Sequence, residues 1–187
     1  MPYSHMSDYP ADILARAAKV RLACFDVDGT LTDGRLFFDS DGRELKAFHV
    51  RDGQGLALLR QAGITVAFVT ARASTIAEQR AAELGAEAFT RIDDKLGCVR
   101  GLAERHGLDL DAVAFMGDDF ADLAVLQAVG LAVAPADAHV WVRERVHWRT
   151  VAHGGGGAAR ELCDLLLAAQ GNADALLTHA LAPRGPA

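Results

Sequence analysis

Val20-Arg21-Leu22-Ala23-Cys24-Phe25-Asp26-Val27-Asp28-Gly29-Thr30 is the stretch that decides the fold. An apolar run of strand length breaks off into two aspartates and a glycine. Such a break predicts a buried strand opening into a working loop. The pattern returns twice. Ile64–Val69 is apolar and partly β-branched and ends at Thr70-Ala71-Arg72, and Val113–Met116 ends at Gly117-Asp118-Asp119. Leu131–Ala134 reads as one more strand before Pro135, and Ala88-Phe89 as a short one. Helical stretches lie between: 55–62 closed by Gly63, 73–84 closed by Gly85, Lys95–His106 before Gly107, and Asp122–Val129 before Gly130. Strands alternating with helices predict an α/β fold, a three-layer Rossmann-like parallel sheet with helices on both faces. Ligands of such sheets lie beyond the carboxyl ends of the strands. The endings DVDGT, TAR and GDD therefore fall on one rim.

Working outward, residues 34–50 break the alternation: two strand-like arms flank Asp41-Gly42, a strong turn pair, and predict a β-hairpin insertion. Asp52 and Gly53 lead from it into the first core helix. Residues 1–19 are polar and then mildly helical, with Ile13, Leu14, Ala17 and Ala18 on one side. Past His153 and four glycines, 158–170 reads as a helix, and 172–187 as a fraying terminus or a segment that docks on a neighbouring subunit. The expectation is a single domain over 1–187, with a core at about 20–168, the hairpin at about 34–50, a tail at 169–187 and no cap domain.

The 187 residues are 51% hydrophobic and 24% charged, which excludes a disordered or collagen-like chain. A formal net charge of -6 argues against a broad nucleic-acid-binding surface. No run of 18 apolar residues exists to span a membrane. The first ten residues lack a signal peptide's basic region and apolar run, so a cytoplasmic protein is expected. Cys24, Cys98 and Cys163 are odd in number and widely spaced. They read as small packing residues in a reducing compartment, not as a disulfide framework or zinc site.

The acidic residues carry the chemistry. Asp26 and Asp28 leave one strand, while Asp118, Asp119 and Asp122 gather on the facing loop. A single Asp before Gly serves equally in a turn, and Asp122 in a helix cap. A convergent set of carboxylates, however, is costly unless a cation compensates it, and hard oxygen donors suit Mg²⁺. Thr70 and the lone Lys95 are placed to hold an anion. Together these residues suit phosphoryl transfer. One Asp attacks phosphorus, a second acid moves the proton, and the cations neutralise charge on the phosphoryl oxygens. GxxxxGK[ST], GxSxG and HExxH are all absent, which weakens P-loop, esterase and zincin readings.

Asp26-Val27-Asp28-Gly29-Thr30, Thr70, Lys95 and Gly117-Asp118-Asp119-Phe120-Ala121-Asp122 resemble the four ordered motifs of the haloacid dehalogenase superfamily. Leu31-Thr32-Asp33-Gly34, Glu44-Leu45-Lys46-Ala47-Phe48, His49-Val50-Arg51-Asp52-Gly53 and the glycine-rich turn before Ala158-Ala159-Arg160-Glu161 resemble its capless subfamily, the 3-deoxy-D-manno-octulosonate 8-phosphate phosphatases. The chain departs from that pattern at Ala71 and Gly156. The resemblance implies that Asp26 is the nucleophile and Asp28 the general acid/base, with Thr70 and Lys95 on the phosphoryl group. It implies Mg²⁺ on the Asp26 carboxylate, the Asp28 carbonyl and Asp118, with Asp119 and Asp122 as supporting acids. It places substrate contacts at Asp28, His49, Val50, Arg51, Asp52, Gly53, Arg72, Arg80 and Lys95. It also implies a homotetramer whose hairpins meet, cytoplasmic work in lipopolysaccharide core synthesis, and no nucleic-acid or membrane partner. A nine-carbon sugar acid 9-phosphate and a non-catalytic oligomerisation role remain the alternatives. Independently of the resemblance, Leu36, Phe37, Phe38, Leu45 and Phe48 crowd apolar side chains onto a two-stranded unit that needs a packing partner.

Overall fold

The computed structural model describes residues 9–182. Six strands form one parallel sheet: β1 (Leu22–Phe25), β4 (Thr65–Val69), β5 (Glu87–Phe89), β6 (Val113–Met116), β7 (Leu131–Ala134) and β8 (Trp148–Arg149), in the order β5-β4-β1-β6-β7-β8. β2 (Phe37–Phe38) and β3 (Glu44–Leu45) pair antiparallel as a separate hairpin. The helices are α1 (Ala11–Ala17), α2 (Val50–Gln61), α3 (Thr75–Leu84), α4 (Lys95–Arg105), α5 (Leu123–Leu126), α6 (Val140–Arg143), α7 (Ala158–Ala169) and α8 (Ala173–Leu181). The result is a Rossmann-like parallel core between helical layers, with a hairpin insertion and no separate cap among the described residues.

Strand alternation builds the two cores. Ala23 and Phe25 of β1, Val66 and Phe68 of β4, and Leu131 and Val133 of β7 pack beneath α1, α2, α3 and α7. Their neighbours Leu22, Cys24, Ala67, Val69, Ala132 and Ala134 face α4, α5 and α6. Both faces of each central strand are covered, so the strands read as unbroken apolar runs. Cys24 and Cys163 are buried, Cys98 is partly so, and all three are free thiols. Burial pushes the Cys24 and Cys163 thiols well above the ordinary range, as suits packing residues. No helix among the described residues is long and apolar enough to cross a membrane.

Several expectations need correction. The hairpin's ladder is only two residues long on each arm. His49 to Gly53 is not a lead-in to the first core helix but its N-cap and first turn, since α2 already starts at Val50. Glycines at 53 and 55 look like helix breakers. Yet a side chain on Gly55 would collide with Arg160 and Cys163, so close packing of α2 on α7 excludes one. The helix expected over Asp122–Val129 is a 3₁₀ turn, Phe120–Asp122, followed by α5, which ends at Leu126. α6 and the edge strand β8 were not anticipated. Within the tail, 173–181 is helical as α8, and 183–187 lie outside the described residues, as do 1–8.

The α2–α7 contact carries an unusual cap. Gly157, the residue before α7, has no side chain to offer the first-turn amides. Asp52 supplies it from α2: its Oδ1 accepts the Arg160 N–H at 2.8 Å, and the residue is buried. Burial pushes the Asp52 carboxyl above its ordinary range even though the Arg160 amide favours the charged form. Asp52→Ala should therefore cost about 1–3 kcal/mol, the loss of a buried cap acceptor, read as a lower urea midpoint, whereas Asp52→Asn, which keeps an acceptor, should cost less.

Candidate active site

The chain crosses from one half of the sheet to the other beside β1, which lies between β4 and β6. Asp26 directly follows β1, and its N–H donates to the Met116 carbonyl at 2.9 Å, continuing the ladder. Its carboxylate is thereby fixed at the sheet's carboxyl end. The chain then turns through Gly29, whose φ of 90° disfavours a side chain; one there would also strike the Asp118 carboxylate. Thr30 Oγ1 donates to Asp118 Oδ1 at 3.0 Å, joining this loop to the one after β6.

Asp122 organises the β6 loop. Its Oδ2 accepts the N–H groups of Asp118 at 3.0 Å and Asp119 at 3.2 Å, and its Oδ1 accepts Lys95 Nζ at 2.6 Å. Lys95, the first residue of α4, also donates to Asp26 Oδ1 at 2.7 Å. Burial works against the Lys95 charge, but Asp26 and Asp122 outweigh it and hold the ammonium above its ordinary range. Carboxylate oxygens of Asp26, Asp118 and Asp122 lie within 4.8 Å of one another.

Three carboxylates here face one ammonium. Burial, then the Asp122 charge, push Asp26 up to about 7 against the pull of Lys95. Burial, then Asp26 and Asp122, push Asp118 up to about 8. Hard oxygen donors with uncompensated charge fit a divalent cation. Asp122 has both oxygens engaged by protein donors, so Asp26 and Asp118 are the carboxylates with capacity to spare.

Asp28 lies elsewhere. Its Oδ1 is held by the ammonium of Lys46 from the hairpin, and its Oδ2 stands 3.7 Å from Arg72 Nε. Its carboxylate is thus engaged by Lys46 and Arg72 and is not among the three clustered carboxylates. Glu44 Oε1 accepts Lys46 Nζ at 3.2 Å and Arg72 Nη2 at 2.7 Å. Motif reading alone assigned no role to Glu44 or Lys46. The available signal was their spacing, since residues two apart on an extended arm share a face.

The other predicted residues separate into groups. Thr70 is buried at the end of β4, where its Oγ1 accepts the Arg72 N–H at 3.2 Å. Asp119 is exposed and its Oδ1 accepts the Phe120 N–H at 2.7 Å, so it caps the 3₁₀ turn and stays outside the cluster. His49 caps α2, with Nδ1 accepting the Arg51 N–H at 3.2 Å; Val50 and Arg51 are exposed. Asp52 is engaged by α7, and Gly53 lies beneath the Arg80 guanidinium. Arg80 also sits 5.9 Å from the Phe48 ring centre and pairs with Glu83 at 3.0 Å. The structure thus unites Asp26, Lys95, Asp118 and Asp122, and separately Asp28 with Arg72. His49–Gly53 and Arg80 form a third group. Beside Arg72, an open cleft of about 710 Å³ runs between Arg43, Glu44, Ser74, Thr75 and Arg91.

Comparison with known proteins agrees with this geometry. Residues 91–162 match the family model of the haloacid dehalogenase-like hydrolases. The chain is 43% identical over 165 residues to the 3-deoxy-D-manno-octulosonate 8-phosphate phosphatase KdsC of Escherichia coli K12, covering 88% of each chain. A hypothetical protein from Xanthomonas campestris superposes with a TM-score of 0.95 at 58% identity, over 97% of this chain and 100% of that one. The 3-deoxy-D-manno-octulosonate 8-phosphate phosphatase of Moraxella catarrhalis, solved with magnesium, phosphate and KDO, superposes with a TM-score of 0.89 at 38% identity, over 92% of this chain and 99% of that one. With its acids beyond the strand ends, its buried lysine and no cap over them among the described residues, the chain belongs to the haloacid dehalogenase-like hydrolases, in the KdsC/YrbI-like phosphatase subfamily.

Proposed function

We propose that the protein hydrolyses 3-deoxy-D-manno-octulosonate 8-phosphate to the free sugar acid and phosphate. The observation that carries this reading is the buried Asp26 carboxylate at the strand end, gripped by Lys95 and flanked by Asp118 and Asp122. The names of the relatives from Escherichia coli and Moraxella catarrhalis supply the substrate.

In the first step an Asp26 carboxylate oxygen attacks phosphorus. The bond from phosphorus to the sugar oxygen breaks, and Asp28 gives that oxygen a proton. An aspartyl-phosphate remains. Water then attacks the same phosphorus, Asp28 takes its proton, and phosphate leaves as the Asp26 carboxylate is restored. Lys95, held by Asp26 and Asp122, offsets charge on the phosphoryl oxygens, and Thr70 offers its hydroxyl to them. Mg²⁺, held by Asp26, Asp118 and the Asp28 carbonyl, would supply a Lewis acid that draws the phosphoryl oxygens in. Arg72, next to Asp28 and held by Glu44, is the guanidinium assigned to the carboxylate of the sugar acid. We assign His49, Val50, Arg51, Asp52, Gly53 and Arg80 to substrate contact; Val50 and Arg51 are exposed on the first turn of α2, and Arg80 packs near Phe48 and Gly53. The reaction belongs in the cytoplasm and in lipopolysaccharide core synthesis.

Asp26→Asn should fold as the parent does and release no phosphate above background from the sugar acid phosphate. Asp28→Asn should lose roughly 10²–10⁴-fold in turnover. Parent-like release by clean Asp26→Asn protein would refute the scheme.

Metal dependence has a definite pH sense. Carboxyls raised above their unfolded values stabilise the cation-free fold at low pH, and that contribution is lost as pH climbs through about 7 and about 8. A bound cation must displace those protons. Mg²⁺ should therefore raise the melting temperature more at pH 8.5 than at pH 6, as judged by differential scanning fluorimetry against EDTA controls. A shift that shrinks with rising pH would contradict it.

We further propose a homotetramer joined through the hairpins. Leu36, Phe37, Phe38 and Leu45 are 46–58% exposed, an apolar surface on a unit with a two-residue ladder. Light scattering should give a mass near four chains, and replacing Phe37 and Phe38 by Ser should lower it. A fully active monomer at nanomolar concentration would rule this out.

A further inference from the structure

Lys46 and Glu44 take no part in the scheme above, yet they hold two groups that do. The Lys46 side chain is only 2% exposed, and its ammonium touches Asp28 Oδ1 while lying 3.2 Å from Glu44 Oε1. That same Glu44 oxygen takes Arg72 Nη2 at 2.7 Å, and Arg72 Nε returns to within 3.7 Å of Asp28 Oδ2. The four charges alternate in sign around a closed ring. They come from three segments: the loop after β1, the returning arm of the hairpin, and the loop after β4.

Within this ring each hairpin residue controls one partner. Asp28 Oδ2 is buried and accepts no hydrogen bond, so the contact of Oδ1 with Lys46 sets the angle of the carboxylate. Arg72 is partly exposed, and among the described residues its guanidinium has one hydrogen bond, to Glu44. A long side chain anchored at one end swings unless its head is held. The arm's alternation divides its duties. Glu44 and Lys46 point inward on one face, while Leu45 between them points out and is 57% exposed.

We propose that Lys46 and Glu44 are positioning residues. Lys46 sets the Asp28 carboxyl for proton exchange with the leaving oxygen. Glu44 sets Arg72 for the substrate's anionic group. The returning arm of the hairpin is thus part of the working site of its own chain, apart from any part in assembly. The inference rests on the phosphatase reading and adds to it the residues that aim the acid/base and the substrate arginine.

Steady-state kinetics on 3-deoxy-D-manno-octulosonate 8-phosphate and on 4-nitrophenyl phosphate tests it. Lys46→Met should lower kcat on the order of 10²-fold on both substrates with KM little changed, as a misplaced acid/base does, and Lys46→Arg should recover much of the loss. Glu44→Gln should raise KM for the sugar acid phosphate roughly tenfold with kcat little changed, the worth of one charge-assisted hydrogen bond. Neither change should add to removal of its partner: Lys46→Met should be silent in Asp28→Asn, and Glu44→Gln silent in Arg72→Ala. Additive losses in the two double variants, or a parent-like kcat in Lys46→Met, would overturn the proposal. If circular dichroism shows Lys46→Met to be misfolded, Lys46→Arg and the Glu44–Arg72 pair decide it by the same additivity criterion. A parent active on 4-nitrophenyl phosphate but not on the sugar acid phosphate overturns the substrate assignment, while the Lys46–Asp28 pair is still read on the former. A parent inactive on both overturns the two readings together.

Discussion

One buried ammonium holds this site in shape. Lys95 has Asp26 on one side and Asp122 on the other, each within 2.7 Å. Burial disfavours the charges of both Asp26 and Lys95, and their contact offsets that cost on each side. Because Asp26 extends β1, Asp122 gathers the amides of the loop after β6, and Lys95 opens α4, this three-body contact ties the two halves of the sheet to a helix beneath their rim. Asp118 enters the cluster through that loop and is steadied by Thr30. What the lysine leaves uncompensated is the charge that invites a cation.

The rim has two kinds of support. Asp26 and Asp118 follow the ends of β1 and β6, central strands with a ladder partner on each side, and Asp122 is tied to the loop after β6 by its hydrogen bonds. Asp28 and Arg72 depend instead on a hairpin that touches the body through charges and has a ladder of two pairs. On the reading proposed above, bond making at phosphorus falls to the first group, and proton handling and recognition of the sugar to the second. Residues that carry specificity can change in such a plan without disturbing the acids that hold the cation.

Much of this was legible in the chain because the signals were local. The apolar runs ending in DVDGT and GDD carry their own strand and turn chemistry, and β6 and β7 fall where the pattern placed them. Elements set by tertiary contact were not legible. Glycines at 53 and 55 argue for a loop, but α7 packs against that face and keeps it helical. Trp148 and Arg149 form an edge strand only because β7 offers a ladder. The hydrogen bond of Asp52 to the first turn of a helix more than a hundred residues away was not legible in the chain either. Conversely, the spacing of Glu44 and Lys46 puts them on one face of their arm, but their contacts with Asp28 and Arg72 depend on where the hairpin folds back.

The place of β1 has a consequence for the birth of the protein on the ribosome. Leu22 pairs with Thr65 on one side and with Val113 on the other, so the strand that delivers Asp26 makes no ladder contact with its own neighbourhood in sequence. Until β6 has been synthesised, one edge of Leu22–Phe25 stays open, and Lys95 has Asp26 to meet but not Asp122. A nascent or truncated chain therefore presents an unpaired, wholly apolar edge, the form of strand most prone to pair with other chains. The arrangement that puts Asp26 at the centre of the sheet also delays its completion, so chaperone capture of translation intermediates should centre on this first strand.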